Sequence, residues 1–426
     1  MIEKRTSDCL PQRTVMEDMI GNARLRSLLS TWCARTFALG VLCFSLQLGS
    51  LASAEERTLI RAKQIFTADG DVIAPGEVLI SDGVITYVGP GIELGLPAEE
   101  IEVHTLAPGF IDAASSAGLA NSGAEVSREI TPNFETHKAI DPSAREFKEL
   151  LDSGVTTAHV LPSTESVFCG HSCIVKTAGA DRFASESQSM VIAICSDPTS
   201  RNRSRSRPDS IYVRQPTNRM GVVWITRNTL HAVANGKELQ SVDQDAAKVI
   251  GQALDGTLPV YSVSRTDFDI RSAMELGETY GFKPVIFGGD EIYRMTEEFK
   301  AYDSPLVFTG MTFGASLSAL RGREGTDLRW NVPGQLADQE IDFCIAGDEL
   351  LEKARFSIRF GLEKEKALKA ITIWPAEILG ISKDVGSIAV GKQADLVALT
   401  DDPMKPTSRV QWTMIAGKTF GATESK

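Results

Sequence analysis

Residues 108–119 read PGFIDAASSAGL, and the character of the chain changes at this stretch. Before it, from residue 57, short apolar runs are separated by turns: TLIRAKQIFT, GEVLISDGVITYVGP and EIEVHTLAPGF. Asp82-Gly83, set between alternating apolar residues, is a hairpin signal. After it, to about residue 380, the runs VTTAHVL, SMVIAIC, LPVYSVS, KPVIFGG, SPLVFTG and IDFCIAG alternate with stretches of helical composition. The clearest of these are SAREFKELLDSG, DQDAAKVIGQAL, FDIRSAMELGETYG and GDELLEKARFSIRFGLEKEKALKAIT. Strands alternating with helices predict a parallel sheet with crossover helices. About 270 residues suit one α/β (β/α)8 barrel, for which ~250 is typical. The chain then returns to strand-like composition in VGSIAVGKQADLVALTDDP and RVQWTMIAGKTF. A β-rich start and end bracketing a barrel predict that the two ends join in one small β structure.

The chain has 426 residues, 42% apolar and 23% charged, with a net charge of −12, which suits a globular protein and offers no basic face for nucleic acid. Its first 54 residues read as an export signal. Arg24, Arg26 and Arg35 precede TFALGVLCFSLQLGSLASA, which closes on Ala52-Ser53-Ala54. This is the basic, apolar, A-x-A order of a secretory signal peptide, with cleavage expected between Ala54 and Glu55. The apolar run is short for a membrane span and Gln47 interrupts it; Met16 and Met19 are alternative starts. Cleavage removes six basic and four acidic residues and takes the net charge from −12 to −14. The expected location is periplasmic or extracellular, with no stable membrane span. Cys169, Cys173, Cys195 and Cys344 remain, and export leaves the pairing of the first three open. Cys344, in IDFCIAG, reads as a buried thiol.

Several pieces, in order, resemble one family. They are PGFID (108–112), GVTTAHVLP (154–162), GHSCIVKT (170–177), PTNRMG (216–221), LPV with a following DI (258–270), ITIWPAEILGI and VGSIAVGKQADLVAL. Together they are similar to the amidohydrolase superfamily, closest to secreted proteins akin to imidazolonepropionase. The resemblance implies a (β/α)8 barrel over 108–384 and a small β-sandwich made from 55–107 and 385–426. It also implies hydrolysis of non-peptide C–N bonds in amides, ureas or cyclic amides. In such enzymes one or two divalent metals at the barrel mouth supply hydroxide and polarise the carbonyl. An aspartate on the last strand shuttles the proton.

The ligand positions decide whether that chemistry carries over. The His-x-His that the resemblance places after PGFID falls on Ala114 and Ser116. The histidine after LPV falls on Val263, and that of the next strand near Gly288. Only the last-strand aspartate has a match, Asp348. A catalytic zinc site takes three protein ligands from His, Asp, Glu or Cys, and these residues do not supply them. No metal cofactor is therefore expected on this reading; zinc or another divalent ion would return only if an altered site exists.

Other candidates carry two readings each. His159, near a strand end, is a mouth residue or a hydrogen-bonded core histidine. Lys176 and Arg219 match basic positions of the family pattern and read as substrate-binding or as internal ion pairs. CGHSC (169–173) offers zinc ligands or a disulfide, but the family places a glycine-rich turn there, and no second pair follows. The Arg/Ser-rich stretch 200–210 is a phosphate-binding patch or a solvated loop. Three functional readings follow: an exported binding or scaffold protein that has lost its metal and its catalysis (a pseudoenzyme), a hydrolase with an altered site built on Asp348, His159 and Lys176, and a structural domain without a ligand. The partner, a small molecule or a protein, is not readable from these residues.

Overall fold

The computed structural model describes residues 56–93, 95, 97–119, 123, 125, 127–199, 215–311 and 326–421. The expected signal peptide with its Ala54–Glu55 cleavage site and the stretch 200–210 lie outside them.

Strands from both ends of the chain share one seven-stranded sheet. They are β1 (Arg57–Ile65), β2 (Gly76–Ser81), β3 (Val84–Gly89), β4 (Glu99–Pro108), and, after the barrel, β13 (Leu396–Leu399), β14 (Val410–Ile415) and β15 (Lys418–Phe420). Their order is β15-β14-β13-β4-β1-β2-β3, and β13 runs antiparallel to β4, which joins the two ends. Asp82 and Gly83 form the expected tight turn with φ of 50° and 79°, a left-handed pair that a two-residue hairpin demands. A Cβ on Gly83 would come within 2.6 Å of the Ala416 carbonyl oxygen, so glycine is required there twice over. The sheet rolls back on itself: Ile85 N–H donates to Lys392 O and Ala394 N–H to Gly83 O. Ile60, Ile65, Val78, Ile80, Ile85, Leu106, Leu396 and Met414 fill the roll. The pairing is thus one wrapped sheet and not two separate sheets.

β4 runs straight into the second sheet. Its eight strands are β5 (Phe110–Ser115), β6 (Val155–Val160), β7 (Phe168–Lys176), β8 (Phe183–Ala193), β9 (Val260–Ser264), β10 (Pro284–Gly288), β11 (Leu306–Phe308) and β12 (Phe343–Ile345). They lie in sequence order, so the sheet is an almost closed barrel. Residue parity separates its faces. Val191, Ala193 and Cys195 point inward, while Met190, Ile192 and Ile194 meet the helices. Tyr261, Val263, Val285, Val307, Cys344 and Ala346 continue the inward set.

One strand departs from the expected all-parallel barrel. β7 is antiparallel to both β6 and β8. Residues 177–182 connect β7 to β8, and a parallel return needs a crossover of a dozen or more. The turn passes through Gly179 at φ 110° and closes with Lys176 N–H on Arg182 O. CGHSC therefore sits inside a strand, not in a turn before one. The seam between β12 and β5 is stitched by the chain segment Ala370–Ile371: Ile345 N–H donates to Ala370 O and Ile111 N–H to Ile371 O.

Three expected helices appear as α1 (Arg145–Asp152), α3 (Gln244–Leu254) and α4 (Asp267–Tyr280), with α2 (Arg219–Ala234) before α3. α4 starts on a complete capping box, Thr266 with Asp269, and stops at Gly281 in the left-handed region. α5 (Thr296–Tyr302) and α6 (Val332–Asp338) follow. The long helix expected from residue 347 is broken. It forms α7 (Leu350–Arg359), α8 (Lys364–Lys369) and α9 (Ile373–Ile378), interrupted at Gly361, with φ 108°, and again at the seam segment. Among the described residues no helix is long and apolar enough to cross a membrane.

Candidate functional site at the barrel mouth

Because β4 feeds β5, the rolled sheet lies at the N-terminal ends of the barrel strands, and the other end is the mouth. Ala114, at the end of β5, packs half-buried against the barrel interior, and Ser116 is exposed just beyond it. Val263 is buried inside the barrel. Gly288 ends β10 at φ 111°, and a Cβ there would meet Ser264 O at 2.9 Å and the Arg265 side chain at 3.2 Å. Phe287 is the β10 residue that packs into the barrel interior near the mouth. None of these side chains except serine carries a lone pair, and an uncharged hydroxyl is a weak ligand. Among the described residues no three His, Cys, Asp or Glu side chains are arranged to hold a metal ion. The donor set does not fit a divalent cation.

A cation is nevertheless built into the mouth. Arg265, the first residue after β9, donates to Asp197, beyond β8, through a two-pronged contact of 2.8 and 2.7 Å. Thr164 donates to the same carboxylate. Both ion-pair partners are largely buried, with side-chain exposures of 11% and 9%. Burial works against the guanidinium charge, but the forked hydrogen bond and charge of Asp197 outweigh it and hold its pKa above the ordinary value. Asp290, beyond β10, accepts from the Thr326 hydroxyl at 3.2 Å. Burial pushes its carboxyl up to about 6, with Arg265 pulling the other way. Burial also pushes the Cys195 thiol up to about 12, so it is a protonated, inert group.

A second polar knot closes the seam. Asp112 of PGFID accepts from Ala114 N–H at 3.0 Å and Gly347 N–H at 2.8 Å. Burial raises its pKa against those two donors and Lys353. Lys353 is buried too, donates to Ala346 O at 3.1 Å, and is pushed downward by burial. Asp348, the retained last-strand aspartate, is exposed on the rim just past this knot.

The remaining candidates do not gather around Asp348. His159 is fully buried on β6, with Nδ1 3.1 Å from Ala113 O and the ring edge-on to Tyr261 at 4.9 Å. Burial lowers its pKa to about 4, so the ring is neutral, and Nε2 has no partner among the described residues. The core reading of His159 is the one the packing fits. Lys176 lies at the opposite end of the barrel. Its ammonium bonds Asp395 at 2.6 Å and Thr157 at 3.1 Å, and Asp395 O accepts from Gly109 N–H just before β5. It is an internal ion pair joining barrel to rolled sheet, the second of its two readings, and not a residue of the mouth. Arg219 opens α2 and reaches Asp269 of the capping box at 3.5 Å, a contact of the helical layer. Cys169, Cys173, Cys195 and Cys344 are all buried, and Cys173, Cys195 and Cys344 are free thiols among the described residues. Cys169 faces the barrel interior, Cys173 packs in the cluster under α1, and His171 Nδ1 lies 2.5 Å from the Ser187 hydroxyl.

Residues 325–420 match the model of the amidohydrolase family. An amidohydrolase structure from Thermotoga maritima MSB8 superposes with a TM-score of 0.77 at 24% identity, covering 86% of this chain and all of that one. The chain thus carries an amidohydrolase-family match in its C-terminal part and shares the fold of amidohydrolase structures. Among curated proteins, amidohydrolase tasK of Hapsidospora irregularis is 21% identical over 386 residues, covering 77% of this chain and 38% of the relative, so the chain spans about two-fifths of that protein's length. A 5-methylthioadenosine/S-adenosylhomocysteine deaminase of Thermodesulfovibrio yellowstonii is 50% identical over 38 residues, 9% of each chain. A prolidase complexed with N-methylphosphonate-L-proline shares the fold at TM-score 0.55 and 16% identity, covering 86% of this chain and all of that one.

The chain carries its mouth charges on residues outside the pieces that resemble the family in sequence. Arg265, Asp197 and Asp290 each follow a barrel strand by one to four residues, in ICSD, VSRTD and FGGDE. The signal was a charged residue within a few positions of the end of an apolar run, repeated on three neighbouring strands. It is visible in the sequence, but only strand order says that the three meet.

Proposed function

We propose that this chain is a metal-free member of the superfamily, a pseudoenzyme exported from the cytoplasm, that works by binding at its barrel mouth and not by hydrolysing C–N bonds. On this reading the rolled terminal sheet is the counterpart of the superfamily's β-sandwich. The observation that carries the proposal is the Arg265–Asp197 pair at the mouth, with the Arg265 stem against Gly288. A fixed positive charge stands beside a position where a metal ligand is expected, and the neighbouring inward positions hold Val263, Phe287 and Ala114. A divalent ion brought there would find the Asp197 carboxylate already engaged by Arg265 and Thr164, and no donor set to hold it. The alternative, a hydrolase built on Asp348, His159 and Lys176, has less support, because those three lie respectively on the rim, in the core and at the far end.

The test is a panel of linear and cyclic amides and ureas, assayed with the purified protein with and without added zinc or manganese. Rates at the buffer background throughout are expected. Hydrolysis that Asp348→Asn abolishes would establish the altered-site enzyme instead.

A further inference from the structure

Away from the mouth, the loop between β1 and β2 faces α8 across a cavity of about 400 Å3. The loop belongs to the rolled sheet: Phe66 N–H donates to Leu106 O of β4. Phe66, Val72, Leu368 and Met404 give the cavity apolar walls, and Lys364 and Lys369 bring positive charge to it. The two lysines differ. Lys364 is already paired with Asp402. Lys369 is half-buried, and its ammonium has no hydrogen bond or ion pair among the described residues; Glu377 feels its charge without an ion-pair contact. Asp71 and Glu365 also border the cavity, but both are exposed at its rim, where solvent and salt screen them.

An ammonium drawn partly out of water without a counter-ion is costly, and an apolar wall beside it is a surface that water covers poorly. Both are satisfied at once by a molecule with an anionic head and a hydrocarbon body. A single lysine favours one negative charge, and among the described residues no arginine lines the cavity to offer the forked contact that suits a phosphate. At roughly 30 Å3 per water-sized group the space suits a ligand of about a dozen heavy atoms. We propose that this cavity binds a small amphipathic monocarboxylate, its carboxylate on Lys369 and its hydrocarbon against Phe66, Val72, Leu368 and Met404. The site is independent of what the mouth does.

Sodium decanoate, which has about the right size, is the probe, titrated calorimetrically into the purified protein. One equivalent is expected to bind. Lys369→Met should weaken binding at least ~10-fold, a loss of about 1.4 kcal/mol, whereas Lys369→Arg should keep it within about threefold. Decan-1-ol, with the same body and no charge, should bind at least ~10-fold more weakly than decanoate. Val72 is 48% exposed at the cavity edge, so Val72→Glu tests the apolar wall without burying a charge, and it too should abolish binding. No decanoate binding to the wild type at 1 mM, binding unchanged in Lys369→Met, or decanol binding as well as decanoate would each overturn the proposal.

Discussion

Arg265 is the residue on which the reading of the mouth turns. A buried, forked ion pair costs a great deal to break from one side, because the surviving carboxylate stays buried without its cation. Arg265→Met is therefore expected to destabilise the fold by about 3–5 kcal/mol. Adding Asp197→Asn should recover part of that loss, since the stranded charge goes with it; chemical denaturation of both variants measures the difference. Asp290 supplies a pH signature. Its carboxyl titrates at about 6 in the fold against an ordinary 3.8, so the folded state holds that proton more tightly than the unfolded chain. The resulting stability is present below about pH 4 and is lost as pH rises through about 6. Asp290→Asn stays neutral throughout, so its gain over wild type should be larger at pH 7 than at pH 4. His159 acts with the opposite sign. Its pKa falls from 6.5 to about 4 on burial, so its contribution is lost as pH drops through that interval. An Asp290→Asn gain that is the same at both pH values would show that the carboxyl does not titrate in that window.

At the scale of elements, much of the architecture was legible. The Asp82-Gly83 hairpin, α1, α3 and α4 follow from turn chemistry, alternation and caps, all of which act over a few residues. Direction and partnership were less legible. The reversed strand β7 depends on a six-residue link, and its all-buried face gives no alternation to distinguish parallel from antiparallel. The helix expected from residue 347 breaks because Ala370 and Ile371 spend their carbonyls on β12 and β5, a long-range demand that overrides local propensity. Lys176 shows the same limit. Its type and its strand were readable, but which end of the barrel it served depended on Asp395, 219 residues away. As a strap between barrel and rolled sheet, Lys176→Met should cost about 3–5 kcal/mol by leaving Asp395 buried and unpaired. Asp348→Asn on the exposed rim should shift stability by no more than about 0.5 kcal/mol. Equal effects of the two substitutions on thermal unfolding would contradict the strap.

For the whole molecule, the sequence carried the fold and the losses more clearly than the replacement. Ala114, Ser116, Val263 and Gly288 are absences that can be read one at a time, given the order of the strands. The charges that now occupy the mouth come from three separate loops, and their convergence exists only in the closed barrel. The likeness to the amidohydrolase family rests on the barrel and on the match over residues 325–420, while the chemistry depends on the side chains at the mouth. The central claim is that the protein folds and acts without a bound metal. It is tested most directly by counting divalent ions per purified chain by elemental analysis and following thermal unfolding before and after chelation. The account predicts well under one equivalent of zinc, iron or manganese and an unfolding midpoint that chelator does not move. A full equivalent that chelator strips, with a drop in that midpoint, would contradict it.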